Sequence, residues 1–370
     1  MAVTGAGQSD RPRREPAYTL YDVAREAQVS TATVSRVVHG QSRVRLSTRQ
    51  RVLEVIEALG YVPNSAAQSM ARQRNDVIGL VALENRCPDT DVEYEALLFL
   101  EDVMRGVESV LSRVGWSLLI TVLRDLDPNA AFQRMLRICG KVDGLLITEG
   151  IIPSPQLALL AARLPIAVIA GSADEAHADV IAADNRHGTE ALVSHLIEQH
   201  ERNRLYYIAG PPSAPDARER QRAFVDAIAQ HPAAVPAGSF PGRFATISGR
   251  QAVRELLARP RREMPDAIVC ANDQMAIGAM RELQSAGISV PGDVAVAGFD
   301  GIPVGAMLTP ALTTVRQPIR QLGERAAARL LEKVANPALP RMAERLPTEL
   351  VIRESCGCRL SARHRQAPMP

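Results

Sequence analysis

From Val77 onward, short apolar runs rich in Val, Ile and Leu alternate with longer stretches of helical periodicity, and this alternation constrains the fold more than any other feature. The apolar runs predict strands at Val77–Leu83, Leu118–Val122, Gly144–Thr148, Ile166–Ala170, Leu205–Ala209, Ala267–Cys270 and Val294–Ala297. Helical patterns over 99–114, 129–138, 188–199, 217–230, 248–258 and 273–286 fall between them. Strands without polar alternation are buried on both faces, which parallel sheets covered by crossover helices provide. The pattern restarts after Asp184, and seven or more units exceed one ordinary lobe, so two similar lobes with a ligand cleft between them are expected. A chain of 370 residues is longer than one usual domain of roughly 100–200 residues, leaving room for a separate unit ahead of this core.

Residues 1–74 have a different character. They carry eleven Arg against six Asp or Glu, about +5, while the remainder sums to about −3. A basic head on a mildly acidic body suits a polyanionic partner, although charge alone is also compatible with a merely solvated surface. Residues 1–17 lack any apolar period and read as a disordered arm, in which Arg11, Arg13 and Arg14 either add loose phosphate contacts or do nothing. From Thr19 to Gly60 apolar residues recur every three or four positions, predicting three short helices. Thr19 with Asp22 is a capping-box-like start, with Asp shorter than the usual Glu or Gln. Ser30 opens a second helix over Thr31–Val38, and the interval Gln28-Val29-Ser30 leaves helix-turn-helix spacing. Val34 and Val38 form its core stripe; short polar residues and Arg36 form the outer one. Short side chains let a helix approach base edges, where a guanidinium can pair with guanine O6 and N7. Similar helix pairs occur in proteins that never touch DNA.

The run from Tyr18 to His39, followed by Thr48-Arg49 and by Tyr61-Val62-Pro63-Asn64, closely resembles the N-terminal domain of the lac repressor and galactose repressor family, and the likeness extends from Thr19 to Ser355. It implies an α/β chain with an N-terminal three-helix helix-turn-helix head plus hinge helix, joined to a two-lobed doubly wound parallel-sheet core of periplasmic-binding-protein type. On that resemblance Ser30, Thr33 and Ser35 hold phosphates and Thr19 counts among the DNA-binding positions, while Thr31, Ala32, Arg36 and, less directly, His39 face base edges. Three residues depart from the family. Gln28 replaces a usual turn Gly, at a cost of about 1 kcal/mol if φ is positive there. Arg45 replaces the Ser that caps the third helix, which shifts the expected cap to Ser47, and Met70 replaces a Leu.

Asn64 caps a segment, Ser65 to Arg72, long enough for only about two helical turns, which cannot stand alone in water. By the resemblance this hinge pairs across a dimer on DNA and enters the minor groove, with Met70 as an apolar wedge or as packing between hinges, and Ala67 small enough for close approach. The expected organisation is a disordered arm over 1–17, a helix-turn-helix domain over 18–63, hinge and linker over 64–75, an effector-binding and dimerisation core over 76–358, and a disordered tail over 359–370.

In the core, polar groups follow apolar strands: Asp184-Asn185 with Gly188, Arg220 after Gly210-Pro211-Pro212, Asn272-Asp273, and Asp300. Carboxylates, amides and a planar guanidinium suit vicinal hydroxyls. Spacing alone favours helix capping. The family likeness in Ala271–Gly278, Val290–Asp300 and Leu312–Pro318 implies instead that Arg220, Asn272 and Asp300 hold an effector, commonly a sugar, sugar derivative or nucleobase, with Phe99 the recognisable residue of the first lobe. Asp184 and Asp273 read as structural. Five acids between Glu84 and Glu95, where the family differs most, favour a neutral or cationic effector or else form a solvated loop.

No run of about 18 apolar residues spans a bilayer, and residues 1–17 lack the apolar run of a signal peptide, so a cytoplasmic, nucleoid-associated protein is expected. A periplasmic-type sugar-binding protein, the alternative on the same core, would need an export signal and no basic head. Five cysteines, Cys87, Cys139, Cys270, Cys356 and Cys358, suit reduced thiols. Cys356-Gly357-Cys358 lacks a neighbouring Cys or His pair, and His187 and His195 read as surface, so no metal and no cofactor are expected. GxGxxG and GxxxxGK[ST] loops are absent, as is a His–carboxylate pair at catalytic spacing, so no catalytic residue is assigned. The expected partners are a palindromic double-stranded DNA operator, a small carbohydrate-like effector and a second copy of the chain, with no membrane.

Overall fold

The computed structural model describes residues 18–38, 44–61, 74–84, 95–124, 127–148, 150–172 and 175–358. The chain divides into two compact units between Asn75 and Asp76.

The first unit is a three-helix head: α1 (Leu20–Glu26), α2 (Thr31–Val38) and α3 (Leu46–Leu59). The capping box at Thr19 forms despite its short acid: Asp22 Oδ2 accepts from the Thr19 backbone N–H at 2.9 Å and from its hydroxyl at 2.7 Å. The core is Val23, Ala24, Ala27, Val34, Val37, Val52 and Tyr61. Val37, not the expected Val38, is buried beside Val34, because the inward face of α2 follows the three-residue spacing; Val38 packs at the margin. α3 starts at Leu46 with Arg45 as its N-cap and no side-chain cap bond, so Ser47 lies inside the first turn and is not the cap.

Gln28 takes the left-handed conformation, with φ of 54°, which lets Val29 N–H reach back to Ala24 O at 3.0 Å and closes the turn before α2. A side chain there costs about 1 kcal/mol relative to glycine. Gln28→Gly should therefore stabilise the head by about 0.5–1 kcal/mol, read as slower amide exchange in α1 and α2; faster exchange would show that the glutamine side chain contributes more than its backbone costs.

The second unit holds two parallel sheets. The first lobe contains β1 (Val77–Glu84), α4 (Glu95–Leu111), β2 (Ser117–Arg124), α5 (Pro128–Cys139), β3 (Gly144–Thr148), α6 (Ser154–Ala161), β4 (Ile166–Ile169) and β5 (Asp179–Ala183). The second contains α7 (Asn185–His200), β6 (Arg204–Ala209), α8 (Pro215–Ala229), β7 (Val235–Pro241), α9 (Thr246–Leu257), β8 (Ala267–Cys270), α10 (Asp273–Ser285), β9 (Ala295–Asp300) and β10 (Thr313–Arg316). The chain then returns through α11 (Ile319–Ala335) and β11 (Ala343–Leu346) to the first sheet, and through β12 (Glu349–Val351) to the second. The sheet orders are β11-β5-β4-β3-β1-β2 and β12-β10-β9-β8-β6-β7. Each lobe thus repeats one doubly wound order, with its reversal beside the first strand; β12 alone runs antiparallel to its neighbour.

Both sheets are apolar on both faces, as the uninterrupted runs predicted: Leu80, Leu145, Leu146, Ala167 and Ile181 in the first and Tyr206, Tyr207, Ile268, Val269 and Val296 in the second are fully buried or nearly so. In each lobe two helices cross at a reciprocal pair of glycines. A side chain on Gly106 would strike the Arg320 carbonyl and one on Gly323 the Val103 carbonyl; Gly249 and Gly278 stand likewise against the backbones of Met275 and Thr246.

No helix among the described residues is long and apolar enough to cross a membrane. The arm over 1–17, the tail from 359, His39, the hinge residues Asn64, Ala67 and Met70, and most of the acidic loop after Glu84 lie outside the described residues.

Candidate DNA-reading face and effector site

On α2, Ala32 and Arg36 lie four residues apart on the exposed face, while Val34 and Val37 turn inward. Ser30 opens the helix: its Oγ accepts from Thr33 N–H at 3.1 Å and lies 2.9 Å from Thr33 Oγ1. Those hydroxyls keep further hydrogen-bonding capacity for a phosphate oxygen. Thr31, Thr33 and Ser35 are half-buried and Thr19 is exposed at the start of α1. The face therefore offers one long cation among short polar and methyl side chains, the set that lets a helix axis approach base edges.

The second lobe gathers its polar residues at the carboxyl ends of parallel strands, on Arg220. This side chain from α8 is buried at 3% exposure, although an isolated guanidinium would not tolerate that. Its Nε donates to Asn185 Oδ1 at 2.8 Å and its Nη1 to the Ala271 carbonyl at 2.6 Å, just past β8. Nη1 also lies 3.5 Å from Asp300 Oδ1, at the end of β9, and Nη2 lies 3.5 Å from Asp216 Oδ2. The guanidinium carbon sits 3.8 Å from the centre of the Phe299 ring.

Asp300 holds a second bond, accepting from Gln317 Nε2 at 2.6 Å just past β10. Its φ of 127° is a conformation that side chains rarely adopt, so strain is stored beside the charged cluster. Burial pushes its carboxyl up to about 6, against the opposing pull of Arg220 and Gln317. Burial likewise raises Asp216, with Arg220 and Asn185 opposing. Gln317 Oε1 is buried and finds no partner among the described residues.

Asn272 caps α10, accepting from Met275 N–H at 3.1 Å and donating to the Phe244 carbonyl at 3.0 Å, so the capping that spacing favoured is present. Asp273 accepts from Thr314 Oγ1 at 2.6 Å and from the backbone N–H groups of Gly301 and Ile302 at 2.8 and 2.9 Å. Those bonds tie the β9 turn to β10 and give it the structural role expected from the sequence. Burial, then the charge of Asp300, pushes its carboxyl to about 8 against these three donors. Asp184 caps α7 through His187 N–H at 3.1 Å, again structural.

Arg220 and Asp300 are thus brought together, while Asn272 follows the Ala271 carbonyl that Arg220 holds and spends its own bonds on α10 and the Phe244 carbonyl. Phe99 is half-buried on α4 against the first lobe's core and joins none of these bonds. Sequence reasoning did not single out Asn185, Asp216, Phe299 or Gln317 as site residues. Asn185 stood in a noted polar pair, but only the fold turns its side chain onto Arg220. From Asn185 the network continues, since its Nδ2 donates to Glu219 Oε2 at 3.3 Å and Glu219 Oε1 accepts from Arg345 of β11 at 2.6 Å. The first lobe's last strand is thereby wired to the second lobe's polar cluster.

A further grouping was not expected. His195 and His200 of α7 meet Cys356 and Cys358, supplying the His pair that the Cys-Gly-Cys motif lacks in sequence. The expectation of no metal rested on that absence, and sequence distance concealed the pairing.

A helix-turn-helix head on a two-lobed doubly wound core, with a charged cluster at the strand ends of one lobe, defines a ligand-responsive DNA-binding regulator. The head matches the bacterial regulatory proteins of the lacI family over residues 19–64, and residues 193–356 match the periplasmic binding protein-like domain. The chain is 32% identical over 346 residues to the HTH-type transcriptional repressor PurR of Aliivibrio fischeri, covering 92% of this chain and 99% of that protein. It is 33% identical to the HTH-type transcriptional regulator GalR of Escherichia coli, covering 91% and 95%. Among solved structures it is similar to the lac repressor dimer bound to operator and the anti-inducer ONPF, with a TM-score of 0.80, 27% identity and coverage of 92% and 99%. The chain belongs to the lacI family of bacterial regulatory proteins.

Proposed function

We propose that this protein is a homodimeric transcriptional repressor that reads a palindromic operator through α2 and releases or grips it according to a small hydroxyl-rich effector, a sugar or sugar derivative, held at the Arg220 cluster. One observation carries the effector reading: a buried guanidinium is surrounded by Asp216, Asp300 and Asn185, next to a buried Gln317 oxygen that has no partner among the described residues. Vicinal hydroxyls can donate to Asp300 and Gln317 and accept from Arg220, whereas an anionic effector would meet two carboxylates around one cation. Arg220, Asn272, Asp300 and Phe99 remain the proposed effector residues.

The DNA reading rests on the exposed Arg36 and Ala32 of α2, with Thr19, Ser30, Thr33 and Ser35 toward phosphates and Thr31 toward bases. A single short helix reads few base pairs, so two copies on a two-fold site supply the specificity. Relatives named as repressors and regulators, and a cellobiose complex of the transcriptional regulator CelR at 29% identity with a TM-score of 0.67, favour regulation over catalysis and a cytoplasmic site of action. An effector shifts operator affinity only by its differential affinity for the two core arrangements. The bonded series from Arg220 through Asn185 and Glu219 to Arg345 gives the effector a grip on the relation between lobes.

A thermal-shift screen of neutral mono- and disaccharides tests the ligand class. A hit should raise the melting temperature and alter operator affinity together; stabilisation only by anionic compounds would reject the hydroxyl reading. For the connector, we propose from sequence that Asn64, Ala67 and Met70 order on DNA, with His39 near the bases. Met70→Ala should lower operator affinity and operator bending together, by about tenfold in affinity. An unchanged bend would assign Met70 to packing.

A further inference from the structure

On the C-terminal half of α7, His195 and His200 face the turn over Glu354–Gly357, closed by Gly357 N–H on the Glu354 carbonyl, and Cys358 just after it. The four ligand atoms lie within 4.8 Å of one another. His195 Nε2 stands 3.4 Å from Cys356 Sγ and 3.8 Å from Cys358 Sγ, and His200 Nε2 stands 3.3 Å from Cys358 Sγ. A tetrahedral zinc ion bound by sulfur at about 2.3 Å and nitrogen at about 2.0–2.1 Å separates its sulfur and nitrogen ligands by about 3.5 Å. The observed spacings bracket that edge length. The two imidazoles, 5.0 Å apart between ring centres, meet edge to face at 76°.

The turn is built to hold the thiols there. Ser355 anchors it from inside the sheet: its hydroxyl donates to the Val296 carbonyl at 2.6 Å and accepts from Thr313 N–H at 2.8 Å. Gly357 has φ of 118° and passes so close to His200 that a Cβ would sit 3.0 Å from its Nδ1. Glycine between the cysteines thus answers both a backbone and a space requirement. Cys356 is fully buried and Cys358 half-buried, so a metal here would lie largely out of water.

We infer that His195, His200, Cys356 and Cys358 form a structural zinc site. Two thiolates and two imidazoles at tetrahedral spacing are the donor set that selects zinc, and four protein ligands leave no open position for a substrate. The ion staples the segment after β12 to α7, whose other end carries Asn185 and the Arg220 cluster. Metal binding of this kind adds directly to folding stability. The inference is independent of what the protein binds as effector or operator.

The test uses the full chain, purified reduced, stripped with chelator, and titrated with cobalt(II) and then zinc(II). One equivalent of cobalt should produce the visible absorption of a tetrahedral ion with thiolate charge-transfer bands, and zinc should displace it at about one ion per chain. Zinc should also raise the melting temperature of the stripped protein. Cys358→Ser, at a half-buried position, and His200→Gln should each weaken zinc binding at least about tenfold while circular dichroism stays that of the parent. Two results overturn the inference: no tetrahedral cobalt spectrum in the stripped, reduced chain, or zinc retained equally by the Cys356→Ser/Cys358→Ser protein.

Discussion

Asp300→Gly should abolish the effector response while leaving the melting temperature within about 2–4 °C of the parent. The two effects separate because Asp300 plays opposing parts. Its φ of 127° costs about 1–3 kcal/mol, which glycine relieves. Removing the carboxylate forfeits the 2.6 Å bond from Gln317 and the weaker pairing with Arg220, but also a buried charge whose desolvation lifts its pKa. These terms are of similar size and opposite sign, so stability changes little. Effector binding has no such compensation. Losing hydrogen bonds to a charged acceptor, worth about 1.5–3 kcal/mol each, should weaken a two-point contact at least about 100-fold. Asp300→Ala, which keeps the strained backbone without its bonds, should melt below the glycine variant. Calorimetry with the stabilising sugar and operator release measure both effects. A normal response in the glycine variant would remove Asp300 from the effector site.

Arg36→Ala should erase preference for the cognate palindrome while sparing weak general binding. Arg36 is the exposed cation of α2, and a two-point contact to guanine discriminates by about 1–3 kcal/mol. A dimer presents it twice, so the ratio of specific to general affinity should fall by about 30-fold to about 20,000-fold. The slope of affinity against salt should change little, because phosphate neutralisation sets that slope. Competition between a duplex selected from a random pool and its scrambled version, at fixed salt, reads the ratio. If the loss were equal on both duplexes, Arg36 would be a phosphate contact.

Most strands legible in sequence were central ones with an uninterrupted apolar run; β2 was legible by the same run although it is an edge strand with Ile120 exposed. Buried β5 (Asp179–Ala183) and β10 (Thr313–Arg316) were not, because β5 opens on Asp179 and ends in two alanines and β10 carries two threonines and an arginine. β7 was not legible because it is an edge strand carrying Pro236 and mostly exposed side chains, and β11 and β12 are short with polar residues. The strained turn was legible through one departure: Gln28 stands in a glycine position and takes the positive φ that position demands. The stripe on α2 was read one residue off, because Val37 and Val38 are equally apolar and only packing selects between them. Their places after strands drew attention to Arg220, Asn272 and Asp300, but spacing alone favoured capping, which Asn272 does perform, and the effector role came from the family resemblance. The His195, His200, Cys356 and Cys358 cluster was invisible, since about 160 residues separate its halves and the sheet alone brings them together.

The return of α11 and β11 to the first sheet has a consequence for biosynthesis. The amino-terminal lobe lacks a packing helix and an edge strand until residues 319–346 are made, so it cannot close while the ribosome is still threading out the second lobe. The lobe that begins first must therefore finish late, and a nascent chain halted before Ile319 would present an incomplete sheet to the chaperones that meet it.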